Sequence, residues 1–202
     1  MLVVVVGCAF AAGGSTLYLR SSFYTGVGQP VAQPVPFSHV HHVADVGLDC
    51  RYCHTGVETS AVAGIPSTEV CMTCHSQIFT NAPVLQPVRD SFASGVPIAW
   101  NQVNRVGDFV YFNHAIHVNN GVACVTCHGE VDHMPLMMRQ NPMQMSWCLG
   151  CHRNPTPNLT PLDHVFDPEW KPSADIAALQ IEIAAHQGIN PATLTDCYVC
   201  HR

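Results

Sequence analysis

The chain opens on a run of roughly 18 residues, Leu2 to Leu19, with no charge before Arg20. As a helix such a run spans about 27 Å, close to the hydrocarbon thickness of a bilayer, so residues 1–25 are expected to form an N-terminal transmembrane helix. Residues 26–36, glycine- and proline-containing and uncharged, predict an extended tether. Beyond Phe37 few stretches keep a period of 3.6 or 2. The expected fold is therefore mostly irregular, with short α-helices and little or no β. Residues 173–187 are the exception: Ile176, Leu179 and Ile183 share a helical face, Ser173 or Asp175 can cap the start, and Gly188 can end it. A proline-rich loop, Asn154 to Pro172, precedes that helix.

The cysteines supply what the weak periodicity lacks. Of 11, ten fall into five C-x-x-C-H motifs: Cys50-Cys53-His54, Cys71-Cys74-His75, Cys124-Cys127-His128, Cys148-Cys151-His152 and Cys197-Cys200-His201, numbered sites one to five. This is the attachment signal of c-type haem. Two thiols three positions apart each form a thioether to one haem, and the adjacent histidine supplies the proximal nitrogen to iron. Redox dithiols, zinc sites and disulfide frameworks do not require histidine after the second cysteine five times out of five. The expected cofactors are five haem c, and the expected fold class is a haem-cored multihaem cytochrome c. A chain this irregular needs the macrocycles as its core. Asn81 to Asp108, with Val84, Leu85, Phe92, Ile98 and Trp100, is expected to pack over a haem face or against a partner.

Charge narrows the partners. The formal net charge is −6 with eight basic residues, and haem propionates add up to about ten further negative charges, partly offset by iron. Nucleic-acid binding is excluded on electrostatic grounds. The apolar N-terminus has two other readings: a cleaved signal with small residues around Ala9 to Gly14, or a lipid-modified Cys8. No basic n-region precedes it, so the start shown need not be the biological one. All three readings place the haem domain outside the cytoplasm, on the periplasmic side of the cytoplasmic membrane.

An internal repeat orders the motifs. Phe37-Ser38-His39-Val40-His41-His42 precedes Cys50, and Phe112-Asn113-His114-Ala115-Ile116-His117 precedes Cys124; both read F-x-H-x-x-H. Within residues 37–202 this gives a two-haem unit at 37–80, its copy at 112–154 and a fifth haem at 173–202. Eight histidines lie outside the motifs, and those of the repeat, His39, His42, His114 and His117, are the candidate distal iron ligands. Spacing from the following motif suggests His39, His114 and His186 for sites one, three and five. The same offset points to Met138, or Met137 beside it, for site four, and His42 and His117 cross to other haems. His/Met ligation raises a haem's potential relative to bis-His ligation, although Met134, Met137, Met138, Met143 and Met145 also suit plain gap-filling. His41, His133 and His164 are read as spare.

With these features placed, the chain resembles the membrane-anchored pentahaem cytochrome subunit of alternative complex III, a bacterial quinol-oxidising assembly. The resemblance rests on the apolar N-terminus, the run Phe37 to His54, Ile65-Pro66 before Cys71, Phe109-Val110-Tyr111-Phe112-Asn113-His114, Met134-Pro135-Leu136, Trp147 to Arg153, and the ending Leu194 to Arg202. It implies integral membrane partners and an iron–sulfur, molybdopterin-like subunit that delivers electrons. It also implies a monohaem cytochrome c or small copper protein as acceptor, within a respiratory or photosynthetic membrane. The quinol site would lie mainly in the partners. No substrate chemistry is expected in this chain alone.

Three alternatives are set against it: a membrane-anchored multihaem quinol dehydrogenase feeding a periplasmic reductase, a lone diffusing carrier, and a nitrite- or hydroxylamine-converting enzyme. The last needs an open iron, sometimes marked by lysine in the motif, whereas every motif here ends in histidine and the one lysine is Lys171. Intact-mass measurement of the chain is expected to show five covalent haems, and C197S/C200S to remove one.

Overall fold

A computed structural model describes residues 1–201; Arg202, the last residue of the ending quoted above, lies outside them. Helix α1 (Leu2–Arg20) is exposed along its whole length and is long and apolar enough to cross a membrane. It stops at Ser21, whose extended backbone breaks the helix and whose hydroxyl accepts from Tyr24 N, starting the short α2 (Ser22–Thr25). Gly26, at φ 70°, then turns the chain away.

The rest is short helices joined by irregular chain. Four of them are the haem motifs themselves or end in one: α3 (Cys50–Cys53), α4 (Thr68–His75), α7 (Cys124–His128) and α8 (Met145–Arg153). The motif thus occupies one helical turn, which brings cysteines three apart onto neighbouring positions of one face. A fifth such turn, α10 (Cys197–Cys200), closes the described chain. Among the described residues extended pairing is limited to isolated bridges, Val27 with Arg139, Pro30 with Met138 and Val122 with Leu159.

Two helices of the connecting chain add detail. The segment 81–108, expected only to pack, holds α5 (Gln86–Ser94), which buries Val88 and Ser91 and lies against α4. Pro83 opens the turn Pro83–Leu85 that leads into α5 and Pro87 lies in the first turn of α5, where a missing N–H costs nothing. Helix α6 (His114–Asn119) starts at Asn113, whose side chain accepts from Ile116 N. The predicted late helix is α9 (Ile176–His186), beginning after Asp175 and ending before Gly188 at φ 65°.

The protein's own core is small. Val35, Val57, Val88, Val118, Ala123, Met134, Leu159 and Val165 are the buried apolar side chains among the described residues. Large ones, including Phe79, Phe92 and Phe109, are exposed. Polar ties hold the loops instead. Arg139 donates to Thr25 O (3.1 Å) and Val103 O (3.2 Å), tying tether and connecting segment to the second repeat. Gln180 of α9 donates to Pro157 O and Leu159 O, both at 3.0 Å. Gly121, at φ 86°, lets the turn before α7 reach Thr160; a Cβ there would meet Thr160 O at 2.7 Å. Leu159, only 1% exposed, is the centre of this joint. L159A is expected to destabilise the holo-protein by about 2–5 kcal/mol, read as a lowered denaturation midpoint with the haem count unchanged.

Candidate haem sites

Each motif turn aims its histidine in the same way, because the ring's Nδ1 is held by a polar group outside the turn. His54 Nδ1–H donates to Gly64 O (2.6 Å), His75 to Ile78 O (3.3 Å), His152 to Leu194 O (2.9 Å) and His201 to Phe109 O (3.1 Å). His128 differs: its Nδ1 lies 3.1 Å from the side-chain amide of Asn104, in the connecting segment. The Asn104 Oδ1 is buried without a partner. Turning the side-chain amide over puts Oδ1 on the imidazole N–H and satisfies both groups. In all five rings Nε2 is left as the free ligand atom, the arrangement that metal-bound histidines adopt.

The repeat histidines face the motif histidines. Phe112 stacks on His117 and meets His114 edge-on; Phe37 does the same to His42 and His39. Within each F-x-H-x-x-H unit one phenylalanine therefore fixes both rings. The first histidine starts a helical turn and the second lies one turn on, so the two rings reach in different directions. His42 lies 6.2 Å from His75, His114 lies 6.4 Å from His128, and His117 lies 6.1 Å from His152, between ring centroids. Two metal–nitrogen bonds of about 2 Å, extended by half a ring at either end, span roughly 6 Å. The gaps fit an iron held between two imidazoles.

Second nitrogens are tied on this side too. His42 Nδ1–H donates to Ser38 O (2.8 Å), His114 to Ala61 O (2.9 Å) and His117 to Asn113 O (2.8 Å). His39 is buried, with its Nδ1 unpartnered, and has His54, His42 and His128 around it. Burial pushes the His39 and His128 imidazoles down to about 4, and that of His117 downward as well. Neutral imidazole is the form that binds metal. By contrast His41, His133 and His164 lie beside the carboxylates of Asp45, Asp132 and Asp167.

The offset rule and the geometry part company at site four. Offset pointed to Met138, but the ring that faces His152 is His117. The backbone of Met138 instead bridges to Pro30, and Met137 O accepts from Val31 N. A count of residues along an irregular chain does not measure where a side chain arrives, whereas the helical turn of α6 does. At site five, Phe109 stacks on His201 at 5.7 Å. His186 lines an open depression with Leu162, Leu179 and Ile183. The contact of Asn104 with His128 is one that the sequence reading missed; a lone asparagine in a loop carries no signal.

The thiols also bear on the fit. Burial pushes the Cys127 thiol up to about 11 and raises those of Cys53, Cys71 and Cys151. The ten motif cysteines are free of disulfides.

Residues 35–89, which hold sites one and two, match the family of cytochrome c7 and related cytochromes c. The chain is 38% identical over 97 residues to the multihaem cytochrome c subunit of a menaquinone reductase from Nitratidesulfovibrio vulgaris. Those residues are 48% of this chain and 45% of the relative, so the chain spans less than half of that protein. The fold class is that of a multihaem cytochrome c: short helices, irregular connections, and an apolar N-terminal helix.

Asn104 provides a test of the site three geometry. In N104L the imidazole of His128 loses its acceptor and some of its electron-donating character. The expected result is one haem of the set raised in reduction potential with the others unchanged, measured by spectroelectrochemical titration. N104D is expected to lower the same haem.

Proposed function

We propose that this chain is an electron-transfer subunit carrying five covalent haems within a quinone-linked membrane complex. The observation that carries the reading is the set of facing imidazoles at about 6 Å, each with its second nitrogen held by the backbone or Asn104. The haems supply reversible one-electron redox chemistry at iron. The protein's part would be to hold each haem through its motif's cysteines and histidine, with the facing imidazoles of His42, His114 and His117 available as second ligands.

In this reading each motif's cysteines bind haem covalently and its histidine is the proximal ligand. His39, His42, His114 and His117 are the distal ligands of sites one, two, three and four. His117 is preferred to Met138 because of its distance from His152. For site five we retain His186, set among apolar side chains at the end of α9. Helix α1 anchors the domain, which stands on the periplasmic side of the membrane; residues 26–36 form the tether and 37–202 the haem domain.

The resemblance to the alternative complex III subunit supports quinol oxidation, with electrons passing to a periplasmic cytochrome c or copper protein. The name of the Nitratidesulfovibrio relative favours a second reading, in which the same relay runs toward menaquinone. The complex, solubilised from membranes, separates the two. Haems reduced by added menaquinol support the first; haems reduced only from the soluble donor and reoxidised by menaquinone support the second. Low-temperature EPR is expected to show low-spin iron at all sites. H117A is expected to create one high-spin, carbon-monoxide-binding haem. Carbon monoxide binding in the unaltered protein would overturn the pure relay.

A further inference from the structure

The five attachment sites touch one another, but not in chain order. Site one meets site two where Tyr52 Oη lies 2.9 Å from Thr73 Oγ1, and the thiols of Cys53 and Cys71 are neighbours. On its other side, site one meets site three. The Cys50 and Cys124 thiols lie beside each other. Both residues also lean on consecutive carbonyls: Cys124 N donates to Val165 O (3.3 Å) and Cys50 Sγ to Phe166 O (3.9 Å). His39 of the first repeat accordingly has His128 of the second among its neighbours.

Site three then meets site four. His114 and His117 belong to the same α6 and face His128 and His152 respectively. Asn141, four residues before α8, donates to Cys127 O at 2.8 Å, and the Cys127 thiol has those of Cys148 and Cys151 nearby. Site four meets site five: His152 Nδ1–H donates to Leu194 O (2.9 Å), three residues before Cys197, and Cys148 neighbours Cys200. The series is tied to the apolar helix at site four, next to one of its ends. Gln144, which precedes α8, donates to Leu19 O at 3.2 Å, and Gly28 N donates to Arg139 O at 2.8 Å.

We infer that the attachment sites run in the order two–one–three–four–five, the two repeats joined through their first sites, with site four at the foot of α1. Chain order would join site two to site three. The duplicated units are instead set head to head, and sites two and five become the termini. Electrons crossing between the repeats have to pass sites one and three. Loss of either divides the series, whereas loss of site two or five only shortens it. Site four, beside the anchor, is the place where a membrane partner reaches the series.

This order rests on reading the five motifs as haem sites, and one sample tests both. The holo-protein, purified with its membrane partners, is imaged by electron cryomicroscopy, and its covalent haems are counted by intact mass. The expected map has neighbouring irons at sites two and one, one and three, three and four, and four and five, with site four nearest α1. Five irons with sites two and three adjacent and sites one and three apart would overturn the order alone. So would another site at the foot of α1. Fewer than five haems would overturn the underlying reading, and the order with it.

Discussion

Histidine pairs about 6 Å apart, each ring pinned by a hydrogen bond from its second nitrogen, are the constraint on which the rest of the structure depends. An imidazole is a good iron ligand only if it is neutral and points the correct nitrogen inward. Burial of His39, His117 and His128 secures the first condition. The carbonyls of Gly64, Ile78, Leu194 and Phe109 secure the second for four motif histidines. Leu194 and Phe109 come from remote parts of the chain, Gly64 and Ile78 from the loops that follow their own motifs. The loops are therefore long and irregular for a reason: their task is to deliver a carbonyl to a ring, and a helix or sheet would spend that carbonyl on itself.

The same constraint accounts for the thin core. Eight buried apolar side chains among the described residues are few for a chain of 202. Phenylalanines are placed against histidines, Phe37 on His42 and Phe112 on His117, so aromatic surface goes to orienting ligands. Apolar macrocycles suit the exposed aromatic and aliphatic residues around the motifs and contribute burial that the polypeptide does not. Site three stands apart, because a side-chain amide replaces the backbone carbonyl there. A side chain is open to substitution where a carbonyl is not, so the Asn104 contact is the one of these that a point substitution can remove.

Duplication explains how one short pattern builds a series. Each F-x-H-x-x-H unit sends one ring to its own first motif and the next ring, one turn on, to the second. Two sites are thereby fixed to each other by a single phenylalanine and a single helical turn. The copies meet at several places: Cys50 and Cys124 lie together beside Val165 and Phe166, Val40 N donates to Met134 O, and His114 N donates to Ala61 O.

Much of this was legible along the chain. Local chemistry made it so: C-x-x-C-H needs one helical turn, an uncharged run of bilayer length needs a helix, and Ile176, Leu179 and Ile183 repeat at helical spacing before Gly188. The fold class followed from those residues. Three things did not follow. The ring facing His152 is that of His117, not the side chain of Met138. Asn104 lies on His128 from 24 residues away, and the first sites of the two repeats lie against each other. Each depends on where irregular chain returns in space, and no periodic pattern records that path. Covalent motifs and periodic helices are short-range properties written in adjacent residues. The facing of one imidazole by another is a long-range property, settled only when loops without periodicity pack.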